Sequence, residues 1–436
     1  MANDYGYVRV AAAVPLVQVG YPMANVAAML SLSIQAVERG VQVLVFPELG
    51  ITGYTCKDLF DQELLKDGAL RALAEYLLHT RNDPLVSVVG MPLIVGDLRF
   101  NVAVICSGGR VLGVVPKSYI PNYNEFEEDR WFRRARDLPV REVTLLGERV
   151  PIGIDIVVDL EGTPGGRLGV EICEDIWMPI PPSTYQALAG ANILVNLSAS
   201  NGVLTKSDYR RQMVTTHAAK CMAAYAYVSC GYGESSSDVV FDGDAFIVDN
   251  GAIIAQGERF ARRAQLIVAD VDVERSTHDR VKQGSFGQQV SDVVPSCRVV
   301  TAVVQPLDAE VNFARTVDPH PVVPTDPAVR DARCEEIFNL QVTGLVRRLT
   351  HVAGETGRDR ISVAIGISGG LDSALALLVA VRAFDALGWD RSGIHTYTMP
   401  GFGTTAWTKG NAHALCAALG VPFRVVSIVD AALAKL

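Results

Sequence analysis

The sequence predicts an α/β protein in two parts: a large unit of two stacked sheets with helices between its strands, then the opening of a doubly wound parallel α/β unit. Three observations predict it. Short Val/Ile-rich runs alternate with longer segments of helical period from Val8 to about Val304. A proline-rich stretch then breaks the pattern, and a shorter αβ alternation follows it. The 436 residues, 49% of them apolar, give room for two or three cores, since a domain takes roughly 150 residues.

In the first part, strands are expected at Val8–Val14, Val41–Phe46, Val86–Met91, Val102–Cys106, Arg167–Ile172, Ile193–Leu197, Ala226–Cys230 and Ala245–Val248. Helices are expected at Asn25–Arg39, Gln62–Thr80, Pro182–Ala191 and Asp208–Ala224. Runs this continuously apolar suit strands covered on both faces. Prolines 306, 319, 321, 324 and 327 frame a polar segment that can continue neither helix nor ladder, so residues 306–327 read as a linker between domains 1–305 and 328–436. The second domain starts with a long amphipathic helix, Ala328–Gly354, and a strand at Ile361–Ile367. A helix at Leu371–Leu387, a strand at Ile394–Met399, a helix at Thr408–Leu419 and a strand at Phe423–Ile428 follow.

Composition narrows the function. A net charge of −9 lacks the basic excess of a nucleic-acid binder. No apolar run reaches the roughly 18 residues that span a bilayer, and Asp4 rather than a basic leader precedes Val8–Val19. A cytoplasmic protein acting on small molecules is expected, without nucleic acid or membrane. The eight cysteines are scattered without a Cys-x-x-Cys pair, and most read as buried thiols. His217 with Cys221, and His413 with Cys416, have helical spacing but no nearby third and fourth ligand, so packing is the preferred reading.

Two sets of residues carry chemistry. Gly366-Ile-Ser-Gly-Gly-Leu-Asp-Ser373 lies between a strand and a helix, where free N–H groups and the positive helix end suit a polyphosphate. It is neither a Walker loop nor Gly-x-Gly-x-x-Gly. In the first domain three apolar runs each deliver a reactive residue: Val41–Phe46 delivers Glu48, the turn Val115-Pro116 delivers Lys117, and Leu168–Ile172 delivers Cys173. A carboxylate, an ammonium and a thiol at strand ends on one side of a sheet can form a covalent acyl-transfer site.

Around these residues, Phe46–Tyr54 (FPELGITGY), Pro116–Phe126 (PKSYIPNYNEF) and Gly169–Trp177 (GVEICEDIW) resemble the nitrilase/amidase superfamily in its order, and Asn196–Ser200 and Asp242–Phe246 continue the match. The resemblance implies an α-β-β-α sandwich with a Glu-Lys-Cys triad: Cys173 as nucleophile, Glu48 as general base, and Lys117 stabilising the anionic intermediate with a backbone N–H near Glu174. Charge near the thiol is expected to favour thiolate. Glu128 resembles a further acid that holds the triad, with Glu125 and Glu127 as alternatives.

Finer wording is similar to the glutamine-dependent NAD+ synthetase family: Lys117–Phe132 (KSYIPNYNEFEEDRWF) and Gly231–Asp238 (GYGESSSD). The family resemblance implies that Tyr123, Ser200 and Lys206 bind L-glutamine; a cation at Lys206 also suits an α-carboxylate. Ser-Gly-Gly-x-Asp-Ser is the signature of ATP pyrophosphatases, and Met399–Phe402 and Asn411-Ala412 also resemble the synthetase. On that resemblance Gly366, Ile367, Ser368, Gly369, Gly370, Leu371, Asp372 and Ser373 hold ATP, Asp372 helps bind Mg2+, and ammonia amidates deamido-NAD+ with release of AMP and pyrophosphate. The resemblance also implies a homo-oligomer. The family carries a longer synthetase domain, so a truncated product or fragment is expected, with synthesis by these residues alone in doubt. Two other readings stay open: a stand-alone amidase with a vestigial tail, and a non-catalytic adenine-nucleotide-binding subunit.

Overall fold

The computed structural model describes residues 6–293, 296–307, 312–317, 319–320, 322–401 and 405–434. The chain divides into two compact units, Met1–Val317 and Asp318–Leu436. The division falls inside the proline-rich stretch.

The first unit contains β1 (Tyr7–Val14), α1 (Pro22–Glu38), β2 (Val43–Val45), α2 (Glu63–His79), β3 (Val86–Val95), β4 (Leu98–Ser107) and β5 (Arg110–Pro116). Next come β6 (Glu142–Leu145), β7 (Glu148–Pro151), β8 (Ile156–Glu161), β9 (Arg167–Ile172), α3 (Pro182–Leu188), β10 (Ile193–Ser198), α4 (Lys206–Cys221) and β11 (Ala224–Ser229). It ends with β12 (Ala245–Asp249), β13 (Ala252–Gln256), β14 (Gln265–Asp272), α5 (Val273–Lys282), α6 (Gly284–Val293) and β15 (Arg298–Val303).

β6 and β7 pair as a separate two-stranded sheet. Of the two large sheets, one has six strands in the order β14-β1-β2-β3-β4-β5 and the other has seven, β13-β12-β11-β10-β9-β8-β15. Their inner faces meet in a core that includes Val10, Val43, Val88 and Ile105 from the first sheet and Val158, Val170, Val195 and Ile247 from the second. A buried valine contributes about 1.5 kcal/mol, so this aliphatic layer is the main cohesive term between the sheets. Alternation along β10 shows how the sequence builds the layers. Ile193, Val195 and Leu197 enter the inter-sheet core, while Leu194 packs outward with Val214 and Ala218 of α4. On the other side, Leu44 and Val89 pack against Met29 and Leu32 of α1 and Leu73 and Tyr76 of α2. The unit is therefore an α-β-β-α sandwich.

Several elements differ from expectation. Lys117 follows strand β5, not a turn: Gly108 and Gly109, both at positive φ, fold β5 back on β4 as a hairpin. The helix expected to reach Ala224 stops at Cys221, because Met222 turns left-handed (φ 45°) and Ala224 begins β11. Strands β6, β7, β8, β13, β14 and β15 and helices α5 and α6 were also unanticipated. The proline-rich stretch is not wholly free chain. Asp270 accepts from Ala314 N at 2.7 Å, Arg9 donates to Asn312 O at 3.0 Å, and Arg315 pairs with Asp249.

The second unit holds α7 (Pro327–Glu355), β16 (Val363–Gly366), α8 (Leu371–Leu387), β17 (Ile394–Thr398), α9 (Ala406–Leu419), β18 (Phe423–Val425) and α10 (Val429–Leu433). Asp326 caps α7 through Ala328 N at 2.8 Å. The three strands form a parallel sheet in chain order. Its core joins Val342 and Leu349 of α7 to Leu377 and Phe384 of α8 and Cys416 of α9. The last strand is shorter than the expected Phe423–Ile428, and Phe402 of the Met399–Phe402 motif lies outside the described residues.

Candidate active site

Glu48 sits just beyond β2, in a turn pressed against Gly90 of β3. A Cβ on Gly90 would collide with Leu49 N, and Leu49 itself is left-handed (φ 52°). Any larger residue at 90 would push Glu48 away. Lys117 leaves β5, and its N–H is held by Asn101 O at 2.9 Å. Cys173 ends β9 in a sharp turn at φ 42°, followed directly by a 3-10 helical turn, Cys173–Trp177. A non-glycine residue held there costs about 1 to 3 kcal/mol and persists only where its surroundings over-determine it. Asn196 of β10 is one such constraint. Its Oδ1 accepts from Cys173 N at 3.1 Å and from Ser198 Oγ at 2.7 Å.

The three elements converge. Lys117 Nζ donates to Glu48 Oε1 at 2.6 Å and to Glu128 Oε1 and Oε2 at 2.6 and 2.8 Å. Lys117 and Glu48 are fully buried. Glu128 is buried in a 3-10 turn (Glu128–Arg130), whereas Glu125 and Glu127 are exposed, so it is Glu128 that the fold turns onto Lys117. Tyr54 Oη donates to Glu128 Oε1 at 2.8 Å, and Asn101 Nδ2 to Glu48 Oε1 at 2.6 Å. Sequence reasoning did not assign Asn101 or Tyr54 a role. A polar residue directly before the apolar run of β4 was the available signal for Asn101. Glu48 Oε2 is buried without a hydrogen-bond partner among the described residues, which leaves it free to take a proton.

The electrostatics reverse one expectation. Burial, then the charge of Glu48, raise the Cys173 thiol above its ordinary value, and Lys117 only partly counters them. Burial chiefly, with Glu48 and Glu128 adding to it, thus favours the thiol over the thiolate. Burial alone would lower the Lys117 pKa, but Glu128 and Glu48 outweigh it and hold it well above the usual lysine value. Glu128 is pushed up to about 7 by burial, against the pull of Lys117 and with the charge of Glu48 adding to the rise.

A cleft of about 500 Å³ opens over Cys173 and is lined by Tyr123, Glu174, Trp177, Ser200 and Lys206. The four predicted cleft residues, Cys173, Tyr123, Ser200 and Lys206, thus share one cavity. Tyr123 Oη donates to Glu174 at 2.9 Å. Lys206 opens α4, and its Nζ donates to Asn201 Oδ1 at 2.6 Å and lies 5.2 and 5.5 Å from the Phe126 and Trp177 ring centres. Burial lowers its pKa. Behind Ser200 stands a fully buried Arg210, whose Nη2 donates to Ser200 Oγ at 3.2 Å while Nη1 pairs with Asp244 at 2.9 Å. Ser200 therefore accepts from the protein and keeps its own proton for the cleft.

In the second unit, the loop from Gly366 to Ser373 joins β16 to α8. Gly369 (φ 84°) passes so close to α9 that a Cβ would collide with Thr408 O. Ile367 is buried and its N–H extends the ladder to Tyr397 O at 2.8 Å. Ser368, Gly370, Leu371 and Asp372 are exposed. The loop bonds to itself: Ser368 N donates to Ser373 Oγ at 3.2 Å and Gly370 N to Ser368 Oγ at 3.2 Å. His217 stands against Ser183 Oγ at 2.8 Å and Cys221 Sγ at 3.6 Å. Among the described residues no group of three or more His, Cys, Asp or Glu is placed to share a metal ion, and no helix is long and apolar enough to cross a membrane.

An α-β-β-α sandwich with a buried Glu-Lys-Cys set beside an open cleft defines a class, the cysteine-dependent carbon-nitrogen hydrolases. The chain belongs to the carbon-nitrogen hydrolase family, whose model matches residues 10–280; an NAD synthase model matches residues 343–435. The glutamine-dependent NAD(+) synthetase of Mycobacterium tuberculosis is 39% identical over 434 residues, 99% of this chain and 63% of that protein. The chain thus spans less than two thirds of the length of the curated relatives it matches most fully. Two solved glutamine-dependent NAD+ synthetases share the fold. That of Acinetobacter baumannii has a TM-score of 0.52 at 24% identity, and that of Cytophaga hutchinsonii 0.54 at 18%; each alignment covers 98% of this chain and 66% of the other.

Proposed function

We propose that this chain carries the glutamine-hydrolysing half, and part of the ligase half, of a glutamine-dependent NAD+ synthetase. The observation that carries the reading is the buried Glu48-Lys117-Glu128 cluster behind Cys173, in a cleft that also presents Ser200 and Lys206. Glutamine enters with its α-carboxylate toward Lys206 and the hydroxyl proton of Ser200, and Tyr123 closes over it. Glu48 Oε2 takes the Cys173 proton as Sγ attacks the amide carbon. The carbonyl oxygen becomes an oxyanion facing Lys117 and a backbone N–H near Glu174. Glu48 returns the proton to the nitrogen, and ammonia leaves a thioester. Water, deprotonated by Glu48, then releases glutamate, and the proton goes back to Sγ.

In the second unit, the exposed amides of Gly366–Ser373 at the start of α8 suit the phosphates of ATP, once the Ser368 and Ser373 hydroxyls give up their internal bonds. The exposed carboxylate of Asp372 fits Mg2+, a hard cation that prefers carboxylate and phosphate oxygens and offsets phosphate charge when bound. The loop residues hold the pyrophosphate leaving group as the carboxylate of deamido-NAD+ takes AMP, which ammonia then displaces. The NAD synthase match at residues 343–435 favours this over an amidase with a vestigial tail. A cytoplasmic homo-oligomer accompanies the reading, and light scattering measures the assembly. The decisive assay pairs ammonia release from glutamine with pyrophosphate release from ATP and deamido-NAD+. Hydrolysis of other amides with glutamine ignored would sink the glutaminase assignment.

A further inference from the structure

Lys117 and Cys173 leave strands of different sheets, β5 and β9, so no ladder of hydrogen bonds fixes one relative to the other. One side chain bridges them. Asp175, 1% exposed, accepts from Ser118 N and Tyr119 N on Oδ1, both at 3.0 Å, and from Ile172 N on Oδ2 at 3.0 Å. Ser118 directly follows Lys117, and Ile172 directly precedes Cys173. The carboxyl thus grips the backbone on the C-terminal side of the ammonium and on the N-terminal side of the nucleophile.

We infer that Asp175 is a positioning residue, which sets the separation of the Lys117 ammonium and the Cys173 thiol by clasping the two strand ends; this rests on the glutaminase reading above. Three converging N–H donors need acceptors on both oxygens, and a carboxyl supplies them even though burial and the charge of Glu171 push its pKa well up against the pull of those donors. Asparagine keeps the shape but turns an NH2 group toward at least one of these donors. Glutamate is a methylene longer and forces the two strand ends apart. The clasp also explains how Cys173 stays at φ 42°: Asn196 holds its N–H from β10, and Asp175 holds the residue before it. With the clasp gone, the turn relaxes and Sγ shifts relative to Glu48 and Lys117, whose charges both act on it. A misplacement of about 1 Å costs roughly 100-fold in rate.

The test uses the full chain with Asp175→Asn and Asp175→Ala, and Asp270→Asn as comparison. Asp270 is equally buried and bonded, to Arg9 and Ala314 N, in the first unit but outside the cleft. The measurements are the melting temperature, kcat and KM for glutamine, and the rate of iodoacetamide alkylation at Cys173 followed by peptide mass spectrometry. Both Asp175 variants should fold, lose about 100-fold in kcat with KM within about threefold, and alkylate at least about tenfold more slowly. Asp270→Asn should lower the melting temperature without lowering kcat. An Asp175→Asn protein with kcat and alkylation both within threefold of the parent overturns the inference. So does failure of both variants to fold, or an equal loss of kcat in Asp270→Asn. If the parent chain releases no ammonia from glutamine, the functional reading falls, and the alkylation rates still decide the clasp.

Discussion

The cleft over Cys173 and the loop at Gly366–Ser373 are both strand-end sites, yet they are built in opposite ways. At the first, Glu48, Lys117 and Glu128 are buried, each is held by more than one hydrogen bond, and their positions follow from two packed sheets. At the second, most of the loop is exposed and its hydroxyls bond to the loop itself. The difference teaches what each of the two proposed chemistries would need from the fold. Proton transfer between a thiol and a carboxylate tolerates little misplacement and little water, so its groups are locked before substrate arrives. A phosphate cradle is made of backbone amides, and its own hydroxyls can stand in for the anion until one binds.

Removing the nucleophile is the severest way to break this comparison. Cys173→Ala should reduce ammonia release from glutamine by roughly 10⁴-fold or more, as losses of a covalent nucleophile do. Nucleotide binding at the loop should survive, as equilibrium binding of radiolabelled ATP would show. Loss of ATP binding together with glutaminase would mean that the two sites are not separable in the way their structures suggest.

Lys117→Met comes next. It leaves Glu48 and Glu128 buried without the cation between them, and breaking a buried ion pair costs about 3 to 5 kcal/mol. Chemical denaturation should register that loss, along with a fall in kcat of about 10³-fold for the lost oxyanion partner. Parental stability in the Lys117→Met variant would show that the carboxylates are neutralised in some other way.

Gly369→Ala attacks the other region. Its Cβ would strike Thr408 O, and alanine is strained at φ 84°. Pyrophosphate formation or ATP affinity should drop about tenfold while glutaminase kcat stays within twofold; unchanged affinity would remove the loop from the nucleotide site.

How much of this was legible in the sequence follows the same division. Glu48, Lys117 and Cys173 stood out because each ends an apolar run, and a strand buried on both faces reads as a continuous apolar stretch that is visible without any periodicity. Glu128 could not be separated from Glu125 and Glu127 by sequence, since only the 3-10 turn at Glu128–Arg130 decides which carboxylate points inward. Asn101 and Asp175 were invisible as contributors because their partners come from elements far away in the chain or from backbone amides. Strand β5 was missed although Gly108-Gly109 marks its hairpin, and β13 although Asn250-Gly251 is a turn pair. β5 is interrupted by Gly113, and β13 is mostly exposed or half-buried at the edge of its sheet, so neither reads as an unbroken buried run. The resting state of the thiol was misjudged for a different reason. Burial, the largest cause, cannot be read from the motif, and counting Lys117 without the two carboxylates that flank it gives the wrong sign of local charge.

Glu128 turns that local charge into a pH dependence. Its pKa of about 7 predicts a glutaminase rate that rises with pH through about 7, as the ionised carboxylate secures Lys117. Stability should move the other way. A buried acid whose pKa lies above its unfolded value binds more protons folded than unfolded, so the folded state loses stability as pH climbs from the ordinary carboxylate range toward about 7. Glu128→Gln should flatten both limbs, giving a lower but pH-independent rate in this window. A parental profile that keeps its midpoint near 7 in Glu128→Gln would assign the limb to another group.

The smallest expected effect lies outside the cleft, at His217. Burial, with the charge of Lys220 adding to it, holds this imidazole down to about 4, and it packs against Ser183 Oγ, Cys221 Sγ and the Tyr225 ring. A histidine kept neutral in the folded state takes up a proton only on unfolding. Its contribution is therefore fully present above the ordinary histidine value near 6.5 and is lost as pH falls toward about 4. The melting temperature of the parent should fall across that window by a few degrees more than that of His217→Gln, which has nothing to protonate there. α4 carries both His217 and, at its first residue, Lys206, but the imidazole stays neutral in the folded state across this window, so His217 should leave KM for glutamine unchanged while the melting temperature falls. A KM that rises as pH falls in the parent but not in His217→Gln would show instead that the imidazole takes its proton in the folded state.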